Sequence, residues 1–304
     1  MINRRELLLA TGTSLLLGGG LPRAIAGASL PIRKPIPASG ELLPVIGMGT
    51  WQTFHVSEAA EARAPLQEVL RVFFDHGGTL IDSSPMYAQA EQVTGDLVTG
   101  LGEHQRLFAA TKVWTDGREA GIEQMERSFR RMQVEQMDLM QVHNLRDWRV
   151  HLPVLRDWKA RERIRYLGIT TSNRAQYEDF AAVMRQEALD FVQLDYNLGA
   201  RHAEEVLLPL AAERGMAVLV NRPFGAGDLF PRVRGRELPA WAAEFDCESW
   251  AQFFLKFVVS HPAVTCAIPA TSNPRHALDN MEAGFGRLPD PELRARMVRY
   301  VEAL

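Results

Sequence analysis

Cysteine is scarce in this 304-residue chain, with only Cys247 and Cys266 present. Neither stands at a ligand-like spacing from a histidine, so no metal site is expected. One pair also cannot form the disulfide framework of so long a chain, which leaves two buried free thiols as the plainer reading. Long apolar runs are missing as well. The stretch from Leu7 to Leu17 covers about eleven residues, against the ~20 that cross a bilayer, so no stable membrane span is expected. A formal net charge of -3 gives no electrostatic reason to expect nucleic acid as a partner. No Pro/Gly/Ser-rich linker and no run of like charge divides the chain after Leu42, which argues for one domain. The dinucleotide fingerprint G-x-G-x-x-G is also absent, since Gly47-Met48-Gly49 continues as Thr50-Trp51-Gln52. Lysine is the last scarcity. Only Lys34, Lys112, Lys159 and Lys256 occur among 34 basic residues.

What is present begins with an address label. Arg4-Arg5 is followed by a short apolar stretch, glycines at 18 to 20 and small residues at Ala24, Ala26 and Ala28. A basic start, short apolar core and small-residue cleavage site describe a signal peptide. Arg4-Arg5-x-Leu-Leu resembles the twin-arginine export signal, with Asn3 and Leu9 as departures. That resemblance implies the export machinery as a partner, a periplasmic location and a division into signal (1–28) and mature chain (29–304). An ordinary secretory signal and a chance N-terminal helix are the alternatives.

From Leu42 onward, eight short β-rich runs alternate with amphipathic segments: Val45 to Gly49, Thr79 to Ile81, Leu107 to Thr111, Leu139 to Val142, Arg165 to Ile169, Phe191 to Leu194, Val218 to Val220 and Thr265 to Ile268. This βα alternation implies parallel strands covered by helices. An α/β single (β/α)8 TIM barrel is the expected fold, although periodicity alone also fits an open doubly wound sheet. In a barrel, chemistry gathers at the carboxyl ends of the strands. Asp82, Lys112 and His143 directly follow strands two, three and four, Ser172 and Asn173 follow strand five, and Gln193 lies late in strand six.

Taken singly these residues have plain explanations. Asp82 can cap a helix, Tyr87 can be a loop aromatic, Lys112 a surface lysine and His143 a core histidine. Together they form a proton-transfer set. Tyr87 is the general acid, Lys112 lowers its pKa, Asp82 pairs with Lys112, and His143 orients a carbonyl oxygen.

Ile81-Asp82-Ser83-Ser84-Pro85-Met86-Tyr87, with Glu91 and Gly95, resembles the aldo-keto reductase signature. Thr111-Lys112, Asp138 to Asn144, Gly168 to Asn173 and Gln193 to Asn197 are similar to successive blocks of the same family. The resemblance implies reduction of an aldehyde or ketone by NADPH or NADH bound without a Rossmann domain, with NADP(H) favoured by family habit. A low-turnover nucleotide-binding sensor or partner subunit is the alternative on the same fold, and an unrelated barrel isomerase is another. On the resemblance, Gly49, Thr50 and Trp51 line the first loop, and Ser172, Asn173 and Gln193 hold the nicotinamide carboxamide. Asn221-Arg222-Pro223-Phe224-Gly225 form the strand-seven loop, and Thr271, Ser272, His276, Asp279 and Asn280 the adenosine-phosphate segment. Asn221 stands where the family often has a stacking aromatic. Arg222, with Arg232, Arg234 and Arg236, is a candidate diphosphate grip. Ala270 stands where many members carry a lysine, a loss that Ser272, Arg275 or His276 can offset. Trp51, Met86 and Trp114 are the expected substrate walls.

Overall fold

The computed structural model describes residues 30–304. The expected export signal lies outside the described residues. The chain first forms a small antiparallel hairpin of β1 (Arg33–Pro35) and β2 (Leu42–Pro44). Eight parallel strands follow: β3 (Met48–Gly49), β4 (Leu80–Asp82), β5 (Phe108–Val113), β6 (Met137–Val142), β7 (Ile164–Thr170), β8 (Phe191–Asp195), β9 (Ala217–Asn221) and β10 (Cys266–Ala267). They pair in sequence order. The seam closes where Ile46 bridges Ala267 and Gly49 bridges Ala270 in parallel register. A Cβ on Gly49 would lie 2.8 Å from the Ile268 carbonyl oxygen, so glycine lets the two edges meet. The barrel expected from the βα alternation is therefore the fold, and the open sheet is excluded.

Helices α1 (Ala60–Asp75), α2 (Ala90–Leu101), α3 (Arg118–Met132), α4 (Trp148–Ala160), α5 (Tyr177–Gln186), α6 (Leu207–Glu213), α7 (Leu229–Arg232), α8 (Trp250–Val259), α9 (Pro274–Glu282) and α10 (Pro291–Glu302) complete the chain. Side-chain oxygens of Ser249, Asn273 and Asp290 accept backbone N–H bonds at the starts of α8, α9 and α10, supplying donors' partners that a helix start otherwise lacks. Gly95 is required where α2 crosses the end of α3, because a Cβ there would stand 2.0 Å from the Arg131 carbonyl oxygen.

Period-two alternation sorts each strand between two cores. Ile81, Ala109, Val113, Met140, Val142, Val192 and Val220 face the helices. Leu80, Phe108, Leu139, Tyr166, Phe191, Ala217 and Leu219 fill the barrel, with Ile36 and Leu43 of the hairpin region closing its lower end. Lys34 fastens that plug by donating to the carbonyls of Val259, His261 and Val264. The next inward position on five strands is polar: Asp82 above Leu80, Lys112 above Ala110, Gln141 above Leu139, Gln193 above Phe191 and Asn221 above Leu219. An apolar interior thus ends in one polar layer at the carboxyl face.

Candidate active site

Lys112 is inside β5 rather than after it, a correction to the expected strand end. The extra pair of residues keeps the period and turns its ammonium inward, where it is fully buried. Its Nζ donates to Asp82 Oδ2 at 2.5 Å and to the Ser83 carbonyl at 2.6 Å. Asp82 Oδ1 accepts from Gln141 Nε2 at 3.0 Å and Gln193 Nε2 at 2.9 Å. A buried ion pair survives only when its remaining lone pairs are served, and these two amides serve them. Burial works against the Lys112 charge, but Asp82 and Tyr87 together hold its pKa above the ordinary lysine value.

Tyr87 reaches the same point from the loop after β4. Its ring lies 5.1 Å from Lys112 Nζ and stands edge-on to His143, with centroids 5.9 Å apart. Lys112 lowers the Tyr87 pKa, as expected, but burial acts in the opposite direction and outweighs it, so the phenol is pushed up. The group is therefore a protonated acid at neutral pH.

His143 follows β6 directly, as expected. Burial, reinforced by the Lys112 charge, lowers its pKa to about 3, so the ring is neutral. Ser84 Oγ accepts from the Met86 backbone N–H at 3.2 Å and lies 3.0 Å from His143 Nδ1. A Ser84 hydroxyl proton turned toward Nδ1 leaves the ring proton on Nε2, the tautomer that presents an N–H to the cavity.

These groups open onto a cavity of about 360 Å³. Of the expected residues, Gly49, Thr50, Trp51, Asp82, Met86, Tyr87, His143, Ser172, Gln193, Asn221, Arg222, Pro223 and Phe224 line it. Lys112 stands behind Asp82. Several others do not line it. Asn173 is outside the lining, with its Oδ1 accepting the Ala175 N–H as a helix cap. Gly225 forms a turn with φ +60° and donates to the Arg222 carbonyl. Trp114 lies one layer out, 6.4 Å from His143 by ring centroids, with the Arg146 guanidinium over its ring at 4.9 Å from the centroid. Asp279 is engaged by Ser249 and Gln252, Asn280 is buried, and Thr271 accepts the Asn273 N–H. Of the expected residues of that segment, Ser272 and His276 are the exposed ones, and Arg275 beside them is exposed as well. Arg232 lines a separate surface depression with His202 and Glu302, away from the cavity.

Sequence reasoning missed Gln141, Ser84 and the wall residue Phe230. Gln141 was detectable as the inward residue two places before His143. Phe230 comes from the short α7 and packs against Phe224 at a tilt of 51°, with centroids 5.0 Å apart. Four lining residues, Gln52, Asn144, Arg222 and Ala226, hold left-handed backbone angles without being glycine. Such strain persists where surrounding contacts enforce it and clusters at functional sites. No cluster able to hold a metal ion occurs among the described residues, and none of their helices is long and apolar enough to cross a membrane.

The Aldo/keto reductase family profile matches residues 45–296. Methylglyoxal reductase YeaE of Escherichia coli (strain K12) is 31% identical over 254 residues, covering 82% of this chain and 88% of the relative. A Klebsiella pneumoniae aldo/keto reductase solved in complex with NADP and acetate superposes with a TM-score of 0.70 at 26% identity, over 86% of this chain and 93% of that one. A Klebsiella pneumoniae aldo-keto reductase structure in complex with NADPH gives 0.71 at 25% identity over 89% and 95% of the two chains.

Proposed function

The chain belongs to the aldo/keto reductase family, and on that premise we propose how it carries out NADPH-dependent reduction of a small aldehyde or ketone. The observation that carries the reading is the convergence of a protonated Tyr87, a neutral His143 and the buried Lys112–Asp82 pair on one cavity. A substrate carbonyl oxygen sits between the Tyr87 hydroxyl and His143 Nε2–H. His143 donates a hydrogen bond and Tyr87 transfers its proton to the oxygen. Lys112 stabilises the phenolate that remains, and Gln141 and Gln193 keep Asp82 aligned to hold Lys112. Trp51, Met86, Phe224 and Phe230 provide apolar walls for the rest of the substrate.

The residues present fit a nicotinamide. Ser172 carries a hydroxyl on the cavity, and Asn221 Oδ1 is a buried acceptor with no partner among the described residues. A carboxamide supplies the N–H for one and the carbonyl for the other. When bound, the reduced nicotinamide supplies the hydride. Exposed Ser272, Arg275 and His276 at the start of α9 suit the additional phosphate of NADP(H), compensating for Ala270.

The test supplies NADPH deuterated at the transferable C4 position, with methylglyoxal as the carbonyl. Deuterium on the product carbinol carbon is expected by mass spectrometry. Unlabelled product, or none with a panel of aldehydes and ketones, rejects the reading.

Export of the folded protein by the twin-arginine pathway to the periplasm is proposed from Arg4-Arg5 and the short apolar segment after them. Changing Arg4-Arg5 to Lys-Lys is expected to retain precursor in the cytoplasm. Undiminished periplasmic protein contradicts that route.

A further inference from the structure

Arg222 has three properties that together set it apart. Its backbone is left-handed, with φ +47°, although it is not glycine. That conformation is held from within and from outside its own loop: the Gly225 N–H donates to the Arg222 carbonyl at 2.8 Å, and the buried Asn197 donates to the same oxygen from Nδ2 at 3.2 Å. The side chain consequently returns over the cavity, where Nη1 donates to the Ser172 carbonyl at 3.3 Å and the guanidinium lies 6.0 Å from the Trp51 ring centroid. Among the described residues no carboxylate pairs with it.

The residue before it sharpens the consequence. Asn221 tops the inward row of β9 and offers no aromatic face. A nicotinamide whose hydride must reach a carbonyl at Tyr87 shares this cavity with the Arg222 cation. The ring is positively charged when oxidised and neutral when reduced. A fixed unpaired cation therefore disfavours the first state and leaves the second nearly untouched.

We propose that Arg222 makes the site discriminate between the oxidation states of the nucleotide, binding the reduced form more tightly and expelling the oxidised product. The inference rests on the cofactor reading above. Two unit charges within one cavity, partly screened by water, correspond to about a tenfold ratio of the two dissociation constants. A tenfold ratio raises the potential of the bound couple by about 30 mV. Thus Arg222 weakens hydride donation slightly and hastens release of oxidised nucleotide, a step that limits many enzymes of this kind of cycle.

The experiment measures dissociation constants of NADP+ and NADPH for the purified protein by titration calorimetry, without substrate. The wild type is expected to bind NADPH about tenfold more tightly. Arg222→Gln is expected to bring the ratio near one, chiefly by tightening NADP+, whereas Arg222→Lys retains most of the discrimination. Equal weakening of both forms by Arg222→Gln makes the residue a diphosphate holder and overturns the proposal. An unchanged ratio in that variant overturns it too. Failure of the wild type to bind either nucleotide defeats the underlying cofactor reading, an outcome distinct from binding both equally.

Discussion

The two sides of the cavity are built differently. Toward β4, β5 and β6, Lys112, Asp82 and Gln141 are buried and bonded to one another, and His143 is fixed through Ser84. Toward β9 and α9, Arg222 is exposed and paired with no carboxylate, Asn221 Oδ1 lacks a partner among the described residues, and Ser272, Arg275 and His276 face solvent. The first side belongs to the barrel interior, where a polar group must be satisfied by the fold itself. The second belongs to the end of β9, the loop after it and a helix start, where groups can wait for a ligand. Chemistry is thereby preorganised, while binding is left adjustable.

Variants on the buried side are expected to produce the larger effects. Tyr87→Phe removes the acid and keeps the ring, so kcat is expected to fall about 10³-fold with little change in NADPH affinity. Substantial turnover in that variant would move the acid elsewhere. Lys112→Met leaves Asp82 buried without its counter-charge, for which roughly 3–5 kcal/mol of lost stability is expected in urea unfolding. Adding Asp82→Asn should recover part of that loss; a simply additive double variant would mean that the two groups do not act as a pair.

His143 gives the comparison a pH signature. Its folded pKa of about 3 lies below the ordinary 6.5, so between these values the unfolded chain binds a proton that the folded chain refuses. Stability is therefore full above pH 6.5 and declines as pH falls toward 3. His261, lowered to about 4 chiefly by burial, adds to the same decline. His143→Gln should flatten the slope between pH 6 and 4, and a slope parallel to wild type would contradict its burial as a neutral ring. The smallest effect belongs to the open side. Arg275→Ala should weaken NADPH about fivefold with NADH unchanged, the scale of one exposed charge-assisted contact; equal loss for both nucleotides would remove it from the extra-phosphate site.

Much of the buried side was legible in the sequence. Eight apolar runs marked the eight strands, and Asp82, Tyr87, Lys112 and His143 stood near their ends because a parallel barrel confines its chemistry there. The hairpin of Arg33–Pro35 and Leu42–Pro44 was not legible, since three-residue strands show no period and Pro35 and Pro44 argue against pairing. The cap role of Asn173 was not legible, because an asparagine after a strand looks alike as a ligand and as a cap; only the folded loop shows its oxygen bonded to Ala175. Arg222 was legible as an unusual residue, but not in its conformation. The usual glycine or asparagine signal for a left-handed angle is absent there, and the group that holds it, Asn197, lies 25 residues away. The Tyr87 pKa was judged from its charged neighbour alone, whereas burial, which a sequence does not display, decides the direction.

On the reading proposed above, this cavity performs hydride transfer to a carbonyl rather than only binding a nucleotide. Single-turnover stopped flow tests it most directly, with NADPH prebound to the protein and mixed with excess methylglyoxal while nucleotide fluorescence is followed. Loss of the signal from one equivalent of bound NADPH in a single phase, absent in Tyr87→Phe, is the expected result. Unchanged fluorescence with every carbonyl tested would contradict the account and leave a protein that holds the nucleotide without using it.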